Sequence, residues 1–372
     1  MESTRPIMFR IFLSFLLCIS SITEAQDSKS QKEVMNVAGF TIAAPVPDRL
    51  DEFIRFINND LAARGVNTLV LRVDYNYEYT SYPSLRNDPA LSEGDIKKIL
   101  AACRKQRIQL VPQLNLFGHQ SWASNTGNLL REFPQFDETP HVQMPEKYTW
   151  PNEDGLYCKS YCPNHPELHE VVFALIDELT EVFESDAFHA GMDEVFYIAD
   201  DRCPRCAGKD RSVLFADEVT LIRDHLATEG KELWIWGDRL LDGTTTGLGM
   251  WEASTNDTHR AVDMIPKDVV IWDWHYERAE PTVVFFAMKG FRVVSCCWNK
   301  PEVAKDQVKL VRTLKSLSNP VISANILGVA QTVWSDAESF VNLLANPVDE
   351  PRRMGPVKSY EALFMELNGK KE

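Results

Sequence analysis

Long hydrophobic runs are scarce in this chain of 372 residues. The one sizeable run, Ile11 to Ile22, falls short of the roughly 20 residues a membrane-spanning helix needs, so no membrane span is expected. Arg5 and Arg10 precede the run and Thr23-Glu24-Ala25 follows it, with small residues where a signal peptidase would cut. Residues 1–25 therefore read as a signal peptide, 26–36 as a polar tether, and the protein as exported to the periplasm or beyond. Cys18 follows Leu17 rather than a small residue, which argues against a lipid anchor. Positive charge is also short: 39 Lys and Arg against 54 Asp and Glu leave a net charge of −15, which repels a phosphate backbone and removes nucleic acid from the candidate partners. No Pro/Gly/Ser-rich linker divides the chain, so 37–372 reads as one domain, and no glycine-rich phosphate loop follows its first strand. With 44% apolar and 25% charged residues, disorder and fibrous classes are excluded.

What is present is an alternation. Short apolar, β-rich runs begin near Gly39, Thr68, Ile108, Phe188, Leu233, Val269, Phe291 and Ile326, and amphipathic segments or long loops separate them. Leu50, Phe53, Ile54, Ile57 and Leu61 fall at helical spacing after Asp48, which reads as an N-cap, and Gly65 closes that helix. A second helix is expected over Glu93 to Lys105. Eight apolar strands alternating with helices predict a parallel sheet covered on both faces, and a closed (β/α)8 TIM barrel rather than an open sheet.

In such a barrel the chemistry lies where strands end. Here those ends carry polar and aromatic residues: Asp74 to Tyr79, Asn115 to Trp122, His189 to Glu194, Trp236-Gly237-Asp238, Trp272 to Tyr276, Trp298-Asn299 and Trp334-Ser335-Asp336. Most of the nine Trp fall there, and an aromatic face suits the C–H surface of a sugar ring, although Trp also fills strand–helix interfaces. The sharpest segment is His189-Ala190-Gly191-Met192-Asp193-Glu194. Adjacent strand residues face opposite ways, so both carboxylates share one pocket only if the strand ends or twists there.

His189-x-Gly191-x-Asp193-Glu194 resembles the H-x-G-x-D-E signature of family 20 glycoside hydrolases, the β-N-acetylhexosaminidases. Pro112 to His119 is similar to that family's third-strand segment, Trp236-Gly237-Asp238 to its fifth-strand W-x-D, and Gly328 to Trp334 with Asp336 to its eighth-strand segment. Phe117-Gly118-His119 with Leu130-Arg131-Glu132 looks closest to the hexosaminidase D branch. The resemblance implies removal of terminal β-linked N-acetylhexosamine from a glycan by substrate-assisted, retaining hydrolysis, without a cofactor or catalytic metal. Glu194 would be the general acid and base, and Asp193 the anion that orients the substrate's acetamido group. His119, His189, Trp236, Asp238, Trp274, Tyr276, Trp298, Asn299, Trp334 and Asp336 would bind or frame the sugar. Two departures stand out: Gly39 to Pro45 contains no Arg to hold sugar hydroxyls, and Asn299 replaces a Tyr expected after the seventh-strand Trp. Tyr276, Tyr197 or Arg72 are the available substitutes. A sugar-binding protein on a former enzyme barrel, and a two-carboxylate glycosidase pairing Glu194 with Asp238 or Asp336, stay open at this point.

Seven cysteines follow the leader. Cys158-x3-Cys162 and Cys203-Pro204-Arg205-Cys206 are two short-spaced pairs on loops expected to be neighbours, and they suit either a closed four-thiolate zinc site or disulfides. Neither reading makes the metal catalytic. Of the remaining three, Cys103, Cys296 and Cys297, at least one should be a buried thiol.

Overall fold

Each predicted run forms a strand, and the alternation of side chains along the strands sets what fills the barrel. The computed structural model describes residues 35–149 and 158–369. The expected signal peptide and residues 26–34 of the tether lie outside them. The strands are β1 (Val37–Ala43), β2 (Thr68–Arg72), β3 (Gln109–Leu116), β4 (Ala187–Gly191), β5 (Glu232–Trp236), β6 (Val270–Trp274), β7 (Arg292–Cys297) and β8 (Ile326–Thr332). All pair in parallel with their sequence neighbours, and β1 closes the barrel on β8 with Val37 opposite Gly328. The fold is a (β/α)8 barrel. Among the described residues no helix is long and apolar enough to cross a membrane.

Because successive side chains alternate between the two faces of a strand, one set of residues fills the barrel and the other meets the helices. The inner cluster joins Val37, Val70, Val111, Ala187, Val270, Val294 and Ala330 to Trp234, Trp236, Trp272 and Trp274. Small residues on β1, β4 and β8 leave space that the large indoles of β5 and β6 occupy. Trp234 stacks on Trp272 with ring centroids 5.4 Å apart, so aromatic packing reaches well below the mouth. Trp236 corrects the sequence expectation: it is fully buried inside the barrel rather than walling a pocket, with its ring 4.5 Å from that of His189.

The outward set packs under the helices. Phe40 of β1 meets Phe340 at 5.5 Å and Tyr360 at 5.1 Å, and the Tyr360 hydroxyl donates to Asp60 at 2.5 Å, which fastens the helix Pro351–Leu367 across the seam where the barrel closes. Such aromatic pairs contribute about 0.5–1.5 kcal/mol each beyond their buried area. The helix Glu93–Lys105 has the predicted bounds, and Ser92 and Asp95 form a reciprocal capping box at its start. Asp48 is not the N-cap expected of it: a short 3-10 turn spans Pro47–Arg49 and the helix begins at Leu50 without a side-chain cap. Gly65 ends that helical segment in a left-handed conformation, as expected.

Candidate active site

The strand ends on the C-terminal side of the barrel surround a cleft of about 1030 Å³. The structure resolves how adjacent carboxylates enter it together. β4 stops at Gly191, and Gly191, Met192 and Glu194 all take positive φ angles of 68°, 68° and 49°. The backbone therefore leaves the pleat, and both Asp193 and Glu194 line the cleft. Left-handed non-glycine residues cost on the order of 1–2 kcal/mol each, so the surroundings must hold them. Gly118 supplies part of that hold: a Cβ there would lie 2.3 Å from the Asp193 carbonyl oxygen, so only glycine lets the loop after β3 approach so closely.

His119, on that same loop, sits between the acids. Its Nε2 donates to Asp193 Oδ2 at 3.1 Å and lies 3.4 Å from Glu194 Oε2. Its Nδ1 is 3.5 Å from Cys158 Sγ, and the Cys158 thiol donates to Glu194 Oε2 at 3.2 Å. Burial opposes charge on His119, yet the charge and hydrogen bond of Asp193 hold its pKa well above the usual histidine value. Burial works to raise Asp193 too, but the charge and hydrogen bond of His119 more than reverse it, and the net shift is downward. Glu194 moves the other way, raised first by burial and then by the neighbouring Asp193 and Asp238 charges. One carboxyl is thus held as an anion and its neighbour is biased toward the acid. Asp193 Oδ1 is buried and has no hydrogen-bond partner among the described residues.

Beneath the acids lies Asp238, which sequence reasoning assigned to the sugar. It is buried and already engaged: it accepts from the Glu194 backbone N–H at 3.0 Å, from Arg239 Nε at 2.7 Å and from Trp274 Nε1 at 3.3 Å. Arg239 in turn donates to the carbonyls of Met250 and Ala253, which bracket Trp251 and Glu252 on the far side of the cleft. This buried ion pair positions the acid and the opposite rim.

The other wall is aromatic. Trp274 stacks on Tyr276 at 4.8 Å, Trp298 meets Tyr276 edge-on at 5.4 Å, and Trp334 Nε1 donates to the Tyr276 hydroxyl at 2.9 Å. Asn299 also lines the cleft. Arg72, at the end of β2 and in register with Ala43 of β1, lies with its guanidinium 4.8 Å from the Trp334 ring centre and faces the cleft. An arginine thus stands one strand over from where the family resemblance looks for one.

Two further assignments are corrected. His189 is buried inside the barrel with its pKa lowered to about 3 by burial, and its Nδ1 accepts from the Gly191 backbone N–H at 3.1 Å; it is a neutral core histidine below the cleft. Asp336 points to the helix Ala337–Ala345, where it accepts from the Ser339 backbone N–H at 2.7 Å as an N-cap. The cysteine grouping changes as well: Cys158 stands with His119 and Glu194, while Cys162, Cys203 and Cys206 gather elsewhere with Glu138. Asp74 and Asn115, at strand ends singled out in the sequence but given no role there, line the cleft, and sequence reasoning missed Trp251 and Glu252 altogether. Asn115 lies two residues beyond Gln113 on β3, so alternation turns it to the same face. Trp251 and Glu252 come from a loop with no periodic signal.

Residues 71–337 match the sequence profile of the glycosyl hydrolase family 20 catalytic domain. The chain belongs to that family. The family-20 match runs from the end of β2 past β8 and includes every residue of the cleft described above. Curated relatives include the beta-hexosaminidase of Akkermansia muciniphila, 26% identical over 127 residues, which are 34% of this chain and 24% of that protein. The beta-hexosaminidase of Emericella nidulans is 24% identical over 214 residues, 52% of this chain and 31% of that protein. The chain therefore spans no more than about a third of the length of these curated relatives. Among solved structures, the Flavobacterium johnsoniae chitobiase aligns with a TM-score of 0.62 at 16% identity, covering 89% of this chain and 51% of that one. The beta-N-acetylhexosaminidase from Bacteroides fragilis NCTC 9343 aligns at 0.60 and 16% identity, covering 89% and 66%. At such identities the likeness establishes the shared fold.

Proposed function

We propose that this protein is an exported β-N-acetylhexosaminidase that removes terminal β-linked N-acetylhexosamine from glycans by substrate-assisted, retaining hydrolysis. The observation that carries this reading is the pair of adjacent carboxyls shifted in opposite directions in one aromatic-walled cleft, with Asp193 Oδ1 buried and unpartnered. A substrate acetamido N–H would satisfy that acceptor, which otherwise bears the cost of desolvation.

In the proposed first step the Glu194 carboxyl gives its proton to the glycosidic oxygen as the bond from that oxygen to the anomeric carbon breaks. The acetamido carbonyl oxygen bonds to the same carbon from the opposite face and forms a cyclic oxazolinium ion. Asp193, kept ionised by His119, accepts the acetamido N–H and offsets the positive charge. In the second step Glu194 takes a proton from water, the water oxygen bonds to the anomeric carbon and the ring opens, so the configuration is retained. Tyr276 and Arg72, both facing the cleft, supply the phenol and guanidinium that the departures at Asn299 and Gly39–Pro45 would otherwise leave out. Their placement favours an enzyme over a binding protein on the same barrel. Export rests on the Arg-flanked run Ile11 to Ile22.

The test is turnover of four chromogenic substrates by the protein from Gln26 onward: the N-acetylglucosaminide, the N-acetylgalactosaminide, and the plain glucoside and galactoside. Hydrolysis confined to the acetamido pair is expected. Equal turnover of the plain glycosides would replace neighbouring-group chemistry with a two-carboxylate mechanism. Binding of N-acetyl sugars without turnover would leave a lectin-like protein.

A further inference from the structure

We propose that Glu138, Cys162, Cys203 and Cys206 form a closed structural zinc site that clamps the loop after β3 to the loop after β4. The site is independent of the catalytic reading. Cys162 Sγ lies 3.6 Å from Cys203 Sγ and 3.4 Å from Cys206 Sγ, and one ligand atom from each of the four residues falls within 4.8 Å of every other. A tetrahedral zinc with bonds of about 2.3 Å to sulfur sets its sulfurs about 3.8 Å apart, so these thiols need to move only by tenths of an ångström. None of the three is bonded to another cysteine, and three is an odd number, so pairing would leave one over.

Glu138 is the deciding residue. It is fully buried, and one carboxylate oxygen accepts from the Asp200 backbone N–H at 3.0 Å. The other, Oε2, is buried with no nitrogen or hydroxyl donor on it, only the neighbouring cysteine thiols, and no basic side chain among the described residues pairs with Glu138; the nearby Lys159 is taken by Asp137 at 2.5 Å and the Thr139 carbonyl at 2.9 Å. A buried carboxylate left this way is costly, and a cation held among three sulfurs relieves it. Thiolates with one carboxylate select zinc over magnesium or calcium, which prefer all-oxygen sites. Asn164 Nδ2 reaches Cys206 Sγ at 3.4 Å, the kind of outer donor that steadies a metal-bound thiolate. With four protein ligands there is no open position for substrate, so the metal is architectural.

Its place in the chain gives it a consequence. Cys162 lies four residues beyond Cys158, whose thiol meets Glu194, and Cys203 and Cys206 follow the strand end that carries Asp193 and Glu194. The clamp therefore spans the two loops that bring His119 and Cys158 against the acids.

The experiment is metal analysis of the protein purified without chelators, with zinc as the probe. About one zinc per chain is expected. The stoichiometry should be unchanged in Cys158→Ser, which breaks the His119, Cys158 and Glu194 cluster, and should fall at least tenfold in Cys203→Ser/Cys206→Ser. If that double variant fails to fold, titrating the wild-type chain with an organomercurial reads the same quantity: one zinc should be released as the buried thiols react. Metal-stripped protein should regain its thermal midpoint on adding one equivalent of zinc. Three outcomes would overturn the proposal: wild-type protein without zinc that takes up none on dialysis against it, zinc that is lost in Cys158→Ser, or peptide mapping that finds any two of Cys162, Cys203 and Cys206 joined in a disulfide.

Discussion

The two walls of the cleft are built differently. On the aromatic wall, Trp274, Trp298 and Trp334 lie on or immediately after β6, β7 and β8, where regular alternation brings every second side chain inward. On the carboxylate wall the regular backbone has stopped. Asp74, Phe117, His119, Met192 and Glu194 all have positive φ, and Gly118 is needed for the two loops to touch. A regular strand end can present one side chain to a site, whereas placing two adjacent carboxyls beside one histidine requires leaving the strand. Irregularity is concentrated where the proposed proton chemistry lies, and the recognition surface is left to the scaffold.

The sharpest way to break this contrast is to remove the acid. Glu194→Gln should lower kcat/KM on an aryl N-acetylglucosaminide by about 10²–10⁴-fold, the range typical of a lost general acid and base. Binding of free N-acetylglucosamine should be retained, because the aromatic wall is untouched. Asp193→Asn should fall as far, and should erase the advantage of acetamido substrates over plain glycosides. A Glu194→Gln enzyme with wild-type turnover would remove the acid assignment.

His119 tests how the acids are tuned. It lowers the pKa of both Asp193 and Glu194, so its loss lets both rise. In His119→Asn, Asp193 ionises at higher pH and Glu194 keeps its proton to higher pH, so both limbs of the kcat/KM profile should move upward together. The predicted loss at the wild-type optimum is about tenfold or more. A profile that keeps its limbs while its height falls would mean that His119 only packs.

The same contrast explains what could be read from the sequence. The barrel was legible because each apolar run is long enough to show strand character and each is followed by a helix or a long loop. Trp274, Trp298 and Trp334 were legible because alternation continues to the strand ends. The Asp193 and Glu194 pair was legible through its place at a strand end and through its motif, although a regular strand would put the two on opposite faces. Trp236 and Asp238 were misplaced because a sequence shows that a residue lies near a strand end but not how deep it sits, and one step of two residues separates the barrel interior from its mouth. Asp336 carried a competing signal: an Asp directly before the helical run Ala337–Ala345 is a capping position. Glu138 and Glu252 arrive from loops, where no period exists to read.

On the aromatic wall the effects should be smaller. Tyr276→Phe removes the hydroxyl that accepts from Trp334 but leaves the ring that stacks on Trp274. If that phenol stands in for the one missing at Asn299, kcat/KM should drop about tenfold, mostly in kcat, since the donor is used more strongly as the acetamido oxygen reacts. A change in KM alone would limit Tyr276 to shaping the wall.

Behind that wall His275 is held between two acids, with Nδ1 at 2.9 Å from Glu252 and Nε2 at 3.2 Å from Asp273. Burial opposes its charge, but Asp273 and Glu252 raise its pKa to about 10. A raised histidine contributes stability that is complete below the unfolded value near 6.5 and is lost as pH climbs through the folded one. The thermal midpoint should therefore decline between about pH 6.5 and 10, and His275→Gln should start lower and flatten that decline. A wild-type midpoint that is level over this window would remove the buried cation.

The smallest effect expected is at Asp336, and it decides between a sugar ligand and a helix cap. The carboxylate accepts from the backbone N–H and the hydroxyl of Ser339, and Ser335 and Trp334 of the preceding turn, not Asp336, line the cleft. Replacing a capping Asp by Ala costs about 1 kcal/mol. In a chain of this size that corresponds to a fall in thermal midpoint of no more than about 2 °C. Asp336→Ala should show that fall with kcat and KM unchanged, and Asp336→Asn, which keeps a capping oxygen, should restore the midpoint. A KM raised several-fold in both variants at constant stability would instead put the side chain on the sugar, and would mean that the loop after β8 rearranges when the glycan binds.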